Sequence, residues 1–338
     1  MIVQSRIARS LGAVAWALSL GGCEIVGGIE ERTLAPDEPT PMAASCAASA
    51  GASSLVAWPD SKTSFCTNGD MPVSCESASH GAGQDGQYLV DVPTYEKIPL
   101  PGGAFGVRDD VTGLVWEKSG TNPLSWNEAQ AHCMGIGEGF RLPTRAELAS
   151  LVDYGLADPA LGEDAFLVPT STTDLYWTDA APPNTAVAWA ISFGEGGVTR
   201  LDRGLGARAR CVLGSIGAPC LSEQAKGQTV IDTRTGLVWQ KEARDGAATW
   251  LDALAHCEGL TLGGADDWRL PSIKELSSLV SESDGAPLPP EFFPDGQDRI
   301  WSSTPSVRSP DAAWYLDGVS GSVAHQGTAM TAQVRCVR

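Results

Sequence analysis

The sequence predicts an α+β protein built as two tandem domains, each with two helices and short antiparallel strands. Three observations lead there. First, the 338-residue chain repeats itself in one fixed order at a period of about 124 residues, too long for a solenoid unit and right for an independent domain. TGLVWEK from Thr112 returns as TGLVWQK from Thr235, SWNEAQAHC from Ser125 as TWLDALAHC from Thr249, and RLPTRAEL from Arg141 as RLPSIKEL from Arg269. YWTDA from Tyr176 then matches IWSST, AWAISF from Ala188 matches AWYLDG, and ARCV from Ala209 matches VRCV. Second, two segments in each copy carry helix-start signals. Third, short β-rich runs bounded by Gly and Asp surround them.

The elements follow in chain order. MIVQSRIARS places Arg6 and Arg9 ahead of the apolar run LGAVAWALSL, which is followed by GGC, ending at Cys23. That is a secretory leader, too short to span a bilayer as a helix, and its end, Leu20 to Cys23, resembles the bacterial lipoprotein signal. On that likeness residues 1–22 are removed, Cys23 carries the lipid, and the several acyl chains on it hold the mature protein stably on a membrane. Residues 23–62 are rich in Ala, Pro, Ser, Glu and Thr without apolar periodicity, as expected of a disordered tether. Residues 63–213 make the first domain with its lead-in, and residues 214–338 the second.

Within a copy the hairpin comes first: in the second, TVID, a turn with Gly236, then LVWQK. A helix follows, with Ser125 and Glu128 in one copy and Thr249 and Asp252 in the other at the N-cap and N3 positions. The RLP segment begins another helix. Thr144 and Ser272 are its N-caps, with Glu147 and Glu275 three residues on, so each hydroxyl and carboxylate satisfies a free backbone donor. The preceding Pro keeps the incoming chain from continuing as helix. The motif is therefore a helix-starting device rather than a catalytic signature. Short strands centred on Trp177 and Trp301, on Trp189 and Trp314, and on the final RCV segments complete each copy. The matched tryptophans read as core. Each copy holds its own set of elements, so each is expected to fold by itself.

Nine cysteines minus Cys23 leave eight in a chain bound for an oxidising compartment, where disulfides are the default. The economical pairing lies within copies, Cys133 with Cys211 and Cys257 with Cys336. Each bridge closes a loop of about 80 residues and contributes ~4.5 kcal/mol in the chain-entropy account. Cys66 and Cys75 flank a turn-rich segment and are placed to pair locally. Cys46 and Cys220 remain, joined by arithmetic alone. No CxxC spacing occurs and the four histidines are scattered, so no metal and no cofactor is expected. His132 and His256 precede the helix cysteines without a matched nucleophile or carboxylate, and read as structural.

These pieces resemble a bacterial family named from the C-terminal domain of the Legionella collagen-like protein. TGLVWQK, the helix with Trp250, Ala253 and Cys257, DWRLPSIKEL, the WSST strand at Trp301 and the closing VRCVR carry the likeness over nearly all of 215–338; it is looser in the first copy, and GQDGQY from Gly83 resembles a lead-in to such domains. The resemblance implies a C-type-lectin-like fold with the helix cysteine bonded to the last-strand cysteine, on bacterial surfaces, and the namesake is an adhesin for sulfated glycans. The calcium-lectin motif is missing: the matching strands read Trp177, Thr178, Asp179 and Trp301, Ser302, Ser303. Asp295 and Asp298 in FPDGQD offer few oxygens for Ca²⁺. Formylglycine-generating enzymes, relatives in fold, share an RLPT-x-x-E segment but need reactive cysteines, whereas the late cysteines here have structural partners.

A net charge of −18 and a pI near 4.5 argue against nucleic acid as a partner. The expectation is a non-catalytic binding or adhesion module on the cell envelope, facing the periplasm or the exterior, with an acidic glycan or surface protein as ligand. The alternatives are a structural envelope component or, behind it, an enzyme. The candidate ligand residues come from a difference between copies: Arg200, Arg203 and Arg208 in TRLDRGLGARARC have no counterparts in SGSVAHQGTAMTAQVRC, while Arg210 matches Arg335 and reads as scaffold. Three such guanidiniums in a short segment suit sulfate, carboxylate or phosphate.

Overall fold

A computed structural model describes residues 57–69, 71–77, 82–100, 105–158, 160–162, 165–167, 175–182, 185–281 and 287–338. The expected leader, Cys23 and nearly all of the expected tether lie outside the described residues, as does Cys46. Cys220 is disulfide-bonded.

The chain is mixed α and β, with mostly antiparallel sheets and, among the described residues, four α-helices. The lead-in forms the small ladder β1 (Cys66–Thr67) and β2 (Pro72–Val73), closed by the Cys66–Cys75 disulfide. In the first copy β3 (Tyr95–Pro99), β4 (Phe105–Asp109) and β5 (Val115–Glu117) make a meander that β9 (Val212–Leu213) joins. The helices α1 (Trp126–Ile136) and α2 (Arg145–Ser150) precede β6 (Leu175–Trp177), β7 (Val187–Ser192) and β8 (Val198–Asp202). In the second copy β10 (Leu221–Gln224), β11 (Thr229–Asp232) and β12 (Val238–Gln240) form the meander. Next come α3 (Trp250–Glu258), α4 (Ile273–Ser278), β13 (Arg299–Pro305), β14 (Ala312–Asp317) and β15 (Val323–Gly327). The closing RCV is a ladder strand only in the first copy. In the second, Val337 makes single bridges to Trp239 and Arg269.

The helix starts are those the sequence encodes. Glu128, Glu147 and Glu275 each close a capping box on Ser125, Thr144 and Ser272, and the Thr249 hydroxyl caps α3 through Asp252 N–H. The first helix of each copy, α1 or α3, is stapled to the end of that copy, by Cys133–Cys211 and by Cys257–Cys336.

The copies do not stand apart. Their strands form a single six-stranded sheet in the order β13-β14-β15-β8-β7-β6, joined where β15 meets β8 at Val323 and Val198. These two valines stand equally far beyond the matched Trp314 and Trp189. The antiparallel pairing of equivalent residues therefore places a pseudo-two-fold axis between the copies. Each copy keeps a small core around its own disulfide: Cys133, Phe140, Leu142 and Trp177 in one, Cys257, Trp268, Leu270 and Trp301 in the other. The largest apolar cluster is common to both and takes Leu148, Leu151, Tyr154 and Trp189 together with Ile273, Leu276, Trp314 and Leu316. Helices α2 and α4 pack against each other over it. All four matched strand tryptophans are buried, as expected of core.

The end of the segment expected as tether is ordered, with Asp60 and Ser61 buried, and together with the lead-in it binds both copies rather than the first alone. Ser61 O accepts from Tyr154 N–H (3.0 Å) in copy one. Thr67 Oγ1 donates to Pro310 O (2.6 Å), Asp85 bonds the Thr304 hydroxyl and Tyr88 donates to Glu258 (2.7 Å) in copy two. Where all three parts meet, the fully buried Lys274 ammonium donates to Asp60 O (2.7 Å) and Ser150 O (2.8 Å).

Candidate functional site

The RLP segments assemble first, because their Arg and Glu are the residue types chemistry would use. Arg141 forks onto Glu147 with two bonds of 2.7 Å, and Arg269 onto Glu275 at 2.7 and 2.6 Å. The same glutamates accept the N-cap N–H groups, at 2.9 Å from Thr144 and 2.8 Å from Ser272. Burial alone would push the Glu275 carboxyl up, but Arg269 and the Ser272 donors hold it below the usual range. The Glu275 carboxylate is thus held ionised between one guanidinium and one helix start, and Glu147 sits between the same two kinds of neighbour. Breaking such a buried pair by deleting one partner costs about 3–5 kcal/mol. The arrangement commits each carboxylate to starting its helix and pairing its arginine.

The candidate arginines take three different backbone supports. Arg200 is an exposed residue of β8 that donates to Ser320 O across the pseudo-axis (2.9 Å) and lies 4.8 Å from the Trp189 ring centroid. Arg203 donates through Nε to Val187 O (3.2 Å) and covers Trp126 at 4.7 Å. Arg208 donates to Thr121 O (2.6 Å). Arg210 and Arg335 are both buried and hold carbonyls of the preceding meander, as scaffold. Trp126 and its match Trp250 donate alike to the carbonyls of Thr178 and Ser302 (2.8 and 2.7 Å). Trp126 is half-buried, however, whereas Trp250 is 1% exposed.

Among the described residues, Glu117, His132 and Cys211 gather their donor atoms within 4.8 Å. Cys211 is bonded to Cys133 and has no thiolate to offer a metal. His132 does have a carboxylate neighbour, which sequence reading missed: Nε2 lies 3.2 Å from Glu117 Oε1. His256 Nε2 is buried without a hydrogen-bond partner, and burial lowers that imidazole's pKa. Asp295 is engaged as an ion pair with Arg335.

Residues 106–213 and 228–338 each match the Lcl C-terminal domain. The chain belongs to the Lcl C-terminal domain family. Comparison with curated proteins gives no match.

The second Lcl C-terminal domain also holds a cleft that no sequence motif marks. It has a volume of about 400 Å³ and lies beside the outer strand β13, lined by Arg244, Gly246, Asp298, Arg299, Thr331 and Gln333 among others. Arg244 Nη1 donates to the carbonyls of Asp245 (3.2 Å) and Gly246 (2.9 Å), and Arg299 Nη1 to Gln326 Oε1 (2.9 Å). The corresponding corner of the first domain holds Thr121, Leu175 and Arg208. Ladder bonds fix the match: Gln333 N–H donates to Arg299 O, and Arg208 N–H to Leu175 O, at 2.8 Å each.

Proposed function

We propose that this protein is an envelope lipoprotein, anchored through Cys23, whose two Lcl C-terminal domains are C-type-lectin-like and act as a non-catalytic binding or adhesion module for an acidic ligand, an acidic glycan foremost. Each domain's two helices, short antiparallel strands and helix-to-end disulfide support the lectin-like reading, and the three bridges between described residues, the bonded Cys220 and the sequence that precedes Cys23 argue for an oxidising compartment. The late cysteines are tied up in disulfides, which removes the thiol chemistry an enzyme of the formylglycine-generating kind requires.

The single observation behind the ligand face is the Trp126–Arg203 pair. A half-exposed indole under a guanidinium offers an apolar platform and a cation side by side, and the second domain buries the same tryptophan. Arg200 and Arg208 extend the positive charge along β8 and the segment after it. The test is binding of the whole chain to a sulfated glycan surface with Arg200, Arg203 and Arg208 all replaced by Ser. Affinity should fall at least tenfold and its salt dependence flatten, with the melting temperature little changed. Unchanged affinity would dispose of this face.

A further inference from the structure

We propose that the cleft of the second domain is a separate binding site for a small ligand bearing a single carboxylate, with hydrogen-bond donors beside it. It is a different site, in a different domain, from the Trp126–Arg203 face, and neither depends on the other.

In a chain with 41 acidic and 23 basic residues, arginines are readily matched by carboxylates. Arg108, Arg141, Arg234, Arg269, Arg308, Arg335 and Arg338 all form ion pairs. Arg244 and Arg299 form none among the described residues, as is also true of Arg200, Arg203 and Arg210, but these two line one cleft together with Asp298. Each uses one terminal nitrogen on a neutral acceptor and keeps N–H groups for another partner. Arg299 is also braced against the Tyr315 ring at 5.1 Å, so less side-chain freedom is lost on binding. Two guanidiniums flanking an open volume are a setting for an oxyanion held by paired N–H donors.

The rest of the lining narrows the ligand. Asp298 is exposed at the cleft and Asp317, the cross-strand partner of Arg299, adds a second carboxylate that Arg299 acts on, so the two guanidiniums are partly offset, which favours a monoanion over a doubly charged phosphate. The Asp298 carboxylate accepts from a hydroxyl or ammonium group next to the bound anion. Gln333 donates its amide to Asp295 O (2.8 Å), while its Oε1 is buried without a partner, a further acceptor in the wall. A volume of about 400 Å³ falls in the range of small-molecule sites and fits a sugar acid or a dipeptide.

The first domain shows the same corner without a cleft ligand set. Its one guanidinium, Arg208, donates to Thr121 O, and Leu175 occupies the position of Arg299. Duplication thus left two versions of one corner, and the second collects the unpaired charge.

The test titrates the whole chain, followed by NMR, with D-glucuronate and with alanyl-alanine, using glucose and alanyl-alaninamide as the neutral or carboxylate-free controls. The expected result is binding of at least one of the two carboxylates, weakened at least tenfold in the R244S/R299S double variant and unchanged in R208S, with equal melting temperatures. Which probe binds distinguishes a sugar acid from a peptide end. Binding of neither carboxylate, or binding that the double variant leaves intact, would overturn the proposal. The R200S/R203S/R208S variant should retain carboxylate binding here whatever it does to glycan binding, so the two readings fail separately.

Discussion

The two domains start their second helices with the same device yet surround it differently, and the contrast shows what the duplication shares and what it divides. In the first domain the Arg141–Glu147 pair is covered by the linker, with Gly214 O accepting from Arg141 (2.6 Å) and Ile216 N–H donating to Glu147 (3.3 Å). In the second, the lead-in lies beside Arg269–Glu275, with the Tyr88 ring 5.7 Å from the Arg269 guanidinium and Asp85 near Glu275. A segment from outside the repeat therefore completes each copy. The motif is internal, but its cover is borrowed.

The strongest way to break this comparison is to separate the domains. Residues 214–338 made alone lose β8 as a neighbour, α2 as a packing partner and both acceptors of Lys274, so the expected outcome is loss of a cooperative melt under conditions where the whole chain melts in one transition. A cooperative transition of the isolated segment close to that of the whole chain would show that the shared sheet and core contribute little.

A gentler probe is pH. Burial lowers the Lys274 ammonium to about 7 and raises the Asp85 carboxyl to about 7. In the unfolded chain the lysine binds its proton up to its ordinary range, so its contribution is complete above that range and is lost as pH falls towards 7. Asp85 runs the other way: its contribution is complete below the ordinary carboxylate range and is lost as pH rises through 7. Denaturant unfolding between pH 7 and 10 should show stability rising in the native chain and a much flatter profile in Lys274→Met, the difference being on the order of a few kcal/mol. Parallel profiles would mean that Lys274 is not the linked group. The first copy has Ala146 at the matched position and offers no such dependence.

The smallest effect sharpens the comparison at the helix starts. Thr144→Ala and Ser272→Ala should each cost about 1 kcal/mol, measured by chemical denaturation, with ligand binding unaffected. A loss of binding at unchanged stability would return the RLP motif to the list of functional segments.

Much of the architecture was legible because it is written locally. A capping hydroxyl and its carboxylate sit three residues apart, and the two long-range disulfides join positions that recur in both copies. The Arg141–Glu147 fork was not read, since the arginine lies outside the helix and its reach depends on the path through Leu142 and Pro143. Nor was His132 beside Glu117, whose contact crosses from helix to sheet. The union of the copies into one sheet is set by strand edges that either copy could have kept to itself. The cleft is the extreme case: Arg244, Arg299 and Gln333 come from three separate segments and meet only in space. Arg208 was singled out by counting arginines, and it falls at the corner matching that cleft.

The meeting of β8 with β15 also bears on aggregation. A bare strand edge is a template for pairing with any other chain, and in this protein each copy blocks the other's. A protein carrying a single copy of this domain would leave that edge open. Two such molecules, turned about a two-fold axis so that the valine matching Val198 and Val323 faces its own equivalent, would close it as a homodimer.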